Sequence, residues 1–270
     1  MIDHREIELL RALLPPGDEV TLTALAKQIG GDVSGLRTII ESLERDGYTF
    51  QKTREAVRLV SEPDALRPQS IRARLATRTI GREVYVFRET TSTNDLARRA
   101  GVGGAEEGVV FFAEQQTAGR GTRGRKWISA AGQGLWFSIL LRSSLPTDQW
   151  PLLVQMAAVG AAEAAKKWIN RPITIKPPND LVVSGGKLAG FLLETSNASD
   201  FQVLGIGINI KSAPQIEGYP TSALERFSDS PIRLNQLAAE VLTNFETWYL
   251  SRPLDALAAA FAERGIGNDR

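Results

Sequence analysis

The chain has 270 residues, 43% of them hydrophobic and 23% charged, with a formal net charge of +1; this is an ordinary globular composition and gives no whole-molecule attraction to nucleic acid or membrane. It has no cysteine and a single histidine, His4, which excludes disulfides, thiolate metal sites and cysteine nucleophiles and leaves no histidine pair for general-base or zinc chemistry. Catalysis, if present, must run on Lys, Arg, Asp, backbone dipoles and a bound ion. No apolar stretch reaches transmembrane length, and Met1-Ile2-Asp3-His4-Arg5 does not open a signal peptide, so a cytoplasmic protein with no membrane partner is expected.

Residues 1–62 predict a small helical domain. Ile7, Leu10, Leu13 and Leu14 repeat at helical spacing until Pro15-Pro16-Gly17-Asp18. A second helix is predicted over Thr21–Ile29, a turn at Gly30-Gly31 and a third helix over Val33–Leu43. Helix, tight glycine turn and helix is the helix-turn-helix pattern. Tyr48-Thr49-Phe50 and Val57-Arg58-Leu59-Val60 read as a two-stranded wing. DNA binding through the third helix is the functional reading, and the charge opposes it: eight Lys/Arg stand against eleven Asp/Glu over residues 1–62, a net of −3, whereas affinity for DNA comes largely from phosphate neutralisation.

A linker is expected over 63–80, with a short helix over Gln69–Ala76, and a second domain over 81–270. Strand Tyr85-Val86-Phe87 leads into Thr91-Ser92-Thr93-Asn94-Asp95, where Ser92 or Thr93 suits the N-cap of a helix through Leu96–Ala100. The same hydroxyls and amide also suit a polar ligand at a strand-to-helix junction. Further strands are predicted over Val109–Ala113, Leu135–Arg142, Ile173–Lys176, Leu181–Val183, Leu188–Glu194 and Val203–Ile210, and helices over Leu152–Trp168 and Leu234–Tyr249. The expected fold class is α+β: an N-terminal winged helix-turn-helix, then a mixed, mostly antiparallel sheet with helices on one face.

Four stretches carry chemistry. From Gly119 to Trp127 three glycines and four cations fall within nine residues, a pattern that brings backbone N–H groups and guanidinium forks to an anion. Lys176-Pro177-Pro178-Asn179-Asp180 joins a cation, an amide and a carboxylate; it is equally a polar turn or a place for Mg²⁺ between phosphates. Lys187-Leu188-Ala189-Gly190 sets a lysine beside small residues, and Gly205-Ile206-Gly207-Ile208-Asn209 bares two glycines on one strand face.

Taken together, Ser92-Thr93-Asn94, Gly119-Arg120-Gly121-x-Arg123-Gly124-Arg125-Lys126-Trp127, Lys176-x-Pro178-Asn179-Asp180, Lys187-Leu188-Ala189-Gly190 and Gly205-x-Gly207-x-Asn209 resemble biotin protein ligase, in its longer regulator-type form. The resemblance covers nearly the whole chain. Lipoate ligases and octanoyltransferases, which share the fold, fit poorly because they use histidine-bearing or cysteine chemistry.

The resemblance implies ATP-dependent formation of biotinyl-5′-adenylate and transfer of biotin to a lysine of biotin carboxyl carrier protein, with Mg²⁺. It assigns biotin to Ser92, Thr93, Asn94, Gln115, Arg120, Gly121, Thr122, Lys187, Gly190 and Gly207. ATP falls to Arg120, Arg123, Trp127, Lys176, Asn179, Asp180 and Asn209, the metal to Asn179 and Asp180, and catalysis to Lys187, Arg120 and Lys176. A homodimer is also expected. The alternatives are a biotin- or adenylate-sensing protein of weak activity, or a repressor of a biotin operon bound to operator DNA.

Three departures from the family pattern stand out. Thr122 replaces an arginine of Gly-Arg-Gly-Arg, Pro177 replaces the tryptophan of Lys-Trp-Pro-Asn-Asp, and the C-terminal SH3-like barrel is expected to be missing.

Overall fold

The structure is a computed structural model that describes residues 3–195, 200–251 and 253–265. The chain divides into two compact units, Met1–Arg74 and Leu75–Arg270.

In the first unit, helices α1 (His4–Leu13), α2 (Leu22–Gln28) and α3 (Val33–Arg45) lie where the apolar spacing places them. Each starts at a side-chain cap: Asp3 accepts from Arg5 N, Thr21 from Ala24 N and Asp32 from Gly35 N, which satisfies donors the first turn leaves open. Leu10, Leu25, Leu36, Ile40 and Leu43 are fully buried in one core. A short strand β1 (Glu19–Thr21), absent from the sequence reading, pairs with β3 (Ala56–Ser61), which also pairs with β2 (Thr49–Lys52). Within the linker expected over 63–80, the short helix predicted over Gln69–Ala76 is present and begins one residue earlier. Pro68 opens helix α4 (Pro68–Arg74), which packs on α1 and buries Ile71 and Ala73. Proline at a first helical position is pre-organised for the helix, so this Pro marks a start and the unit closes at Arg74.

The second unit is built on seven strands: β4 (Val84–Thr90), β5 (Val110–Gln116), β6 (Gly134–Leu141), β7 (Thr174–Lys176), β8 (Asp180–Val183), β9 (Gly186–Thr195) and β10 (Gln202–Asn209). Their order is β4-β5-β6-β10-β9-β8-β7, with β4 and β5 parallel and every other pair antiparallel. Central strands β6 and β10 are buried at every position, hence their near-continuous apolar sequence.

Helices cover both faces, contrary to the one-faced arrangement expected from sequence. α5 (Thr93–Val102) sets Leu96, Ala97 and Ala100 against Phe111, Leu140 and Val203. The alternate residues Phe112, Ile139, Leu204 and Ile206 point to the other face, where α6 (Pro151–Lys166) crosses β7 to β10 and packs on α7 (Leu234–Leu250). α6 and α7 approach closely at Gly160, where a Cβ would fall 2.9 Å from Phe245 N. The buried Glu246 of α7 accepts the backbone N–H groups of Arg78, Thr79 and Ile80 at 2.6–2.8 Å. A further helix, α8 (Leu254–Glu263), leads to Arg264, whose carbonyl accepts from Ile175 N of β7 at 2.6 Å. Among the described residues no helix is long and apolar enough to cross a membrane.

Candidate functional site

The α5 face of the sheet is bare along Gly205, Gly207 and Gly190, since Gly207 pairs with Gly190 and Gly205 follows on the same face. Side chains from elsewhere descend into that trough. A Cβ on Gly205 would lie 2.4 Å from Asn94 Oδ1, and one on Gly207 would lie 2.5 Å from Trp127 Nε1. A cavity of about 430 Å³ opens above them, within the roughly 300–1,000 Å³ of small-molecule sites.

The wall at α5 is a hydroxyl–amide network. Ser92 occupies the N-cap position, but its side chain makes no cap hydrogen bond. The donor left open at Thr93 N is taken by Gln116 Oε1 at 2.8 Å, while Gln116 Nε2 donates to Ser129 Oγ at 2.7 Å. Ser138 Oγ lies 2.7 Å from Thr93 Oγ1 and hydrogen-bonds Asn94 Oδ1. With its oxygen held there, Asn94 Nδ2 is left buried with no partner. Ser92, Thr93, Asn94 and Gln116 all line the cavity. Gln115 does not, which corrects the sequence assignment by one residue: of two adjacent glutamines, the second reaches the first turn of α5.

The roof is the glycine- and arginine-rich segment, folded as a small hairpin. Trp127 N donates to Gly119 O at 2.9 Å and Gly121 N to Arg125 O at 2.7 Å. The tip turns through Arg123 (φ 58°) and Gly124 (φ 70°), left-handed conformations that glycine adopts freely and arginine at a cost. Arg123 is exposed there and does not line the cavity, whereas Arg120, Gly121, Thr122, Arg125, Lys126 and Trp127 do. Arg120 reaches inward and is held by carboxylates: Nη2 and Nη1 lie 2.8 and 3.1 Å from Asp95, and Nε lies 3.0 Å from Glu194. This pairing drives the Asp95 carboxyl below its usual range, chiefly through the hydrogen bond from Arg120. Trp127 lies edge-on to Trp136 at 6.2 Å and covers Gly190 and Gly207, so it belongs to the trough.

The far wall comes from β8 and β9. Lys187 Nζ stands 2.7 Å from Asp180 Oδ1, an ion-pair distance without hydrogen-bond alignment, and 5.2 Å from the Trp127 ring centre. Both side chains are nearly buried, at 16% and 10% exposure. Asn179 Nδ2 donates to Phe191 O at 2.7 Å. Asn209 Nδ2 donates to Ser222 O and Lys187 O at 3.2 and 3.3 Å, leaving Oδ1 without a partner. Lys176 stands outside the cavity wall, exposed, with Nζ 5.8 Å from the ring centre of Tyr219, which does line it. Sequence reasoning passed over Tyr219, Arg125, Lys126 and Gly205 as ligand contacts, although the last three stood inside motifs it singled out.

Four buried polar side-chain atoms lack a hydrogen-bond partner among the described residues: Asn94 Nδ2, Trp127 Nε1, Asp180 Oδ1 and Asn209 Oδ1. Each costs free energy unless something fills its valence; Asp180 Oδ1 has the Lys187 ammonium at 2.7 Å, and the other three belong to residues that line this cavity. Those three are two donors and one acceptor, so the trough is built for a polar ligand presenting both. No group of three or more acidic or histidine side chains that could cage a metal occurs among the described residues.

Residues 86–211 match the Biotin/lipoate A/B protein ligase family. The biotin–[acetyl-CoA-carboxylase] ligase of Mycobacterium tuberculosis is 35% identical over 222 residues, which are 77% of this chain and 82% of that protein. The chain belongs to the biotin protein ligase family. The bifunctional ligase/repressor BirA of Bacillus subtilis is 32% identical over 205 residues, 74% of this chain and 61% of that protein, so the chain matches about three fifths of the Bacillus relative's length. Among solved structures, biotin protein ligase from Aquifex aeolicus in complex with biotin and ATP superimposes with a TM-score of 0.56 at 25% identity, over 68% of this chain and 79% of that one. The Leishmania major enzyme in complex with biotinyl-5-AMP shares the fold, with a TM-score of 0.61 at 23% identity, over 68% of this chain and 81% of that one.

Proposed function

We propose that this chain activates biotin with ATP and transfers it to a lysine of the biotin carboxyl carrier protein of acetyl-CoA carboxylase. The observation that carries this reading is the convergence of three unpartnered polar atoms, Asn94 Nδ2, Trp127 Nε1 and Asn209 Oδ1, on a glycine trough walled at one end by the Lys187–Asp180 ion pair. A ureido ring is a small polar head that both donates and accepts, and Asn94 Nδ2 and the α5 hydroxyls suit it. The valeryl chain runs past the Trp127 indole, which itself covers Gly190 and Gly207, and the carboxylate ends near Lys187.

In the first step a biotin carboxylate oxygen attacks the α-phosphorus of ATP; a P–O bond forms, and the bond to the β-phosphate oxygen breaks to release pyrophosphate. Both reactants are anionic, so Lys187 offsets their repulsion and the charge that builds at phosphorus; the remainder is positioning. In the second step the carrier lysine, as free amine, attacks the acyl carbon and AMP leaves. The C–N bond forms as the C–O bond to AMP breaks, and Asp180, beside Lys187 at 2.7 Å, is the carboxylate that takes the proton the amine loses. Mg²⁺ would be held by the nucleotide phosphates with Asp180 as the single carboxylate and would offset phosphate charge; such an ion takes few protein ligands. Lys176 serves the nucleotide from the rim.

The first unit has the winged-helix arrangement in this reading, without a DNA-binding face. Lys52 of the β2–β3 hairpin pairs with Glu44 of α3 at 2.7 Å, Arg37 donates to Arg54 O and Arg45 donates to Glu41 O, so cations needed for phosphate contacts are engaged within the chain. A gel shift at low salt should show no retarded complex.

The decisive experiment is biotin- and Mg²⁺-dependent exchange of labelled pyrophosphate into ATP, with Lys187→Ala as control. Exchange well above the control is expected. Biotin binding by calorimetry with no exchange would replace the ligase with a sensor.

A further inference from the structure

The hairpin roof holds three guanidinium groups, and their positions differ in kind. Arg120 is engaged by Asp95 and Glu194. Arg123 sits at the left-handed tip, outside the cavity wall. Arg125 lines the cavity and has no carboxylate partner among the described residues. It folds back across the turn, with Nη2 donating to Thr122 Oγ1 at 3.1 Å and Nε to Thr122 O at 3.3 Å. Nη1 lies 3.4 Å from Tyr219 Oη, and the guanidinium carbon stands 5.8 Å from the Tyr219 ring centre.

An exposed arginine loses side-chain entropy when it is fixed. Contacts that fix it before a ligand binds remove that cost from the binding step. The Thr122 carbonyl is available at any residue type; the hydroxyl is not. We propose, on the adenylation chemistry set out above, that Thr122 is a positioning residue whose hydroxyl aims the Arg125 guanidinium at the phosphate of the bound adenylate. Position 122 is where the family's pattern has an arginine. In this chain the charge there is supplied from three residues downstream, and Thr122 retains the intermediate through Arg125 instead of contacting it directly.

The test uses the full chain and chemically prepared biotinyl-5′-adenylate, with its dissociation rate followed after dilution and biotin affinity measured separately by calorimetry. Thr122→Val removes the hydroxyl at nearly constant shape and should speed adenylate loss about fivefold, while Thr122→Ser should stay within about twofold of wild type. Arg125→Gln should speed loss at least as much as Thr122→Val, and the double variant Thr122→Val/Arg125→Gln should be no faster than Arg125→Gln alone. In every variant adenylate loss should change several-fold more than biotin affinity does, because the phosphate is the group that Arg125 meets. Wild-type release by Thr122→Val, or a full extra fivefold on the Arg125→Gln background, overturns the positioning role and leaves the ligase reading standing. If the wild-type chain holds the adenylate no more tightly than biotin, the ligase reading fails and takes this role with it.

Discussion

Arg120 and Asp95 form a two-point pair, with guanidinium nitrogens 2.8 and 3.1 Å from the two carboxylate oxygens. Asp95 lies in the first turn of α5 and Arg120 at the root of the hairpin, so the pair ties the roof of the cavity to its wall. Glu194 on β9 takes a further bond from Arg120, and Arg98 contacts both carboxylates. Asp95→Asn should therefore loosen the roof and weaken biotin binding about fivefold, the factor corresponding to ~1 kcal/mol. Calorimetry decides it. Unchanged affinity would mean that the roof is held by its backbone pairing alone.

The same pair carries a pH signature. The Asp95 carboxyl titrates below its usual range because of the Arg120 hydrogen bond, so its contribution to stability is complete above the unfolded-state value of about 3.9 and is lost as pH falls through the lower folded value. The melting-temperature gap between wild type and Asp95→Asn should be constant from about pH 7 to 5 and shrink below about pH 4. A gap that widened on acidification would contradict the assignment.

Stability and chemistry should separate at Lys187. Removing one partner of a nearly buried pair strands the other charge, at a cost of about 3 kcal/mol, whereas replacing both by apolar groups can be close to neutral. Lys187→Met should destabilise by that amount in urea unfolding, and Lys187→Met/Asp180→Leu should recover most of it. Neither should support pyrophosphate exchange. Exchange by the stable double variant would remove Lys187 from the chemistry.

The two adjacent glutamines provide an internal control. Gln116→Ala frees Thr93 N and Ser129 Oγ and should weaken biotin binding about tenfold, through a partner lost to each. Gln115→Ala should leave it within about twofold. The reverse order would restore the assignment drawn from sequence alone.

The glycine spacing at 205 and 207, the hydroxyl–amide cluster at 92–94 and the basic hairpin could all be read from sequence, because backbone approach and charge density leave local marks. Strand and helix positions in the sheet followed from apolar runs for the same reason. What lacked a local mark was partnership across the fold. Nothing near Arg120 in sequence announces Asp95 or Glu194, and nothing near Arg125 announces Tyr219, 94 residues away. The choice between Gln115 and Gln116 depended on which donor α5 leaves open. The placement of α5 opposite α6 and α7 was hidden because a short helix with a narrow stripe of small residues gives no sign of which sheet face it covers. The helix after Pro68 was legible as well, with its start displaced by one residue because proline both ends stretches of structure and opens helices.

Glu246 has a practical consequence for dissecting this protein. Its buried carboxylate is met by three consecutive main-chain donors at Arg78, Thr79 and Ile80, so the first few residues after Arg74 close the electrostatics of α7 and are not connecting thread. A fragment begun at residue 81 would bury an uncompensated negative charge under the sheet, whereas one begun at Leu75 carries its own counterweight. Engineers trimming the chain to its second unit should cut between Arg74 and Leu75.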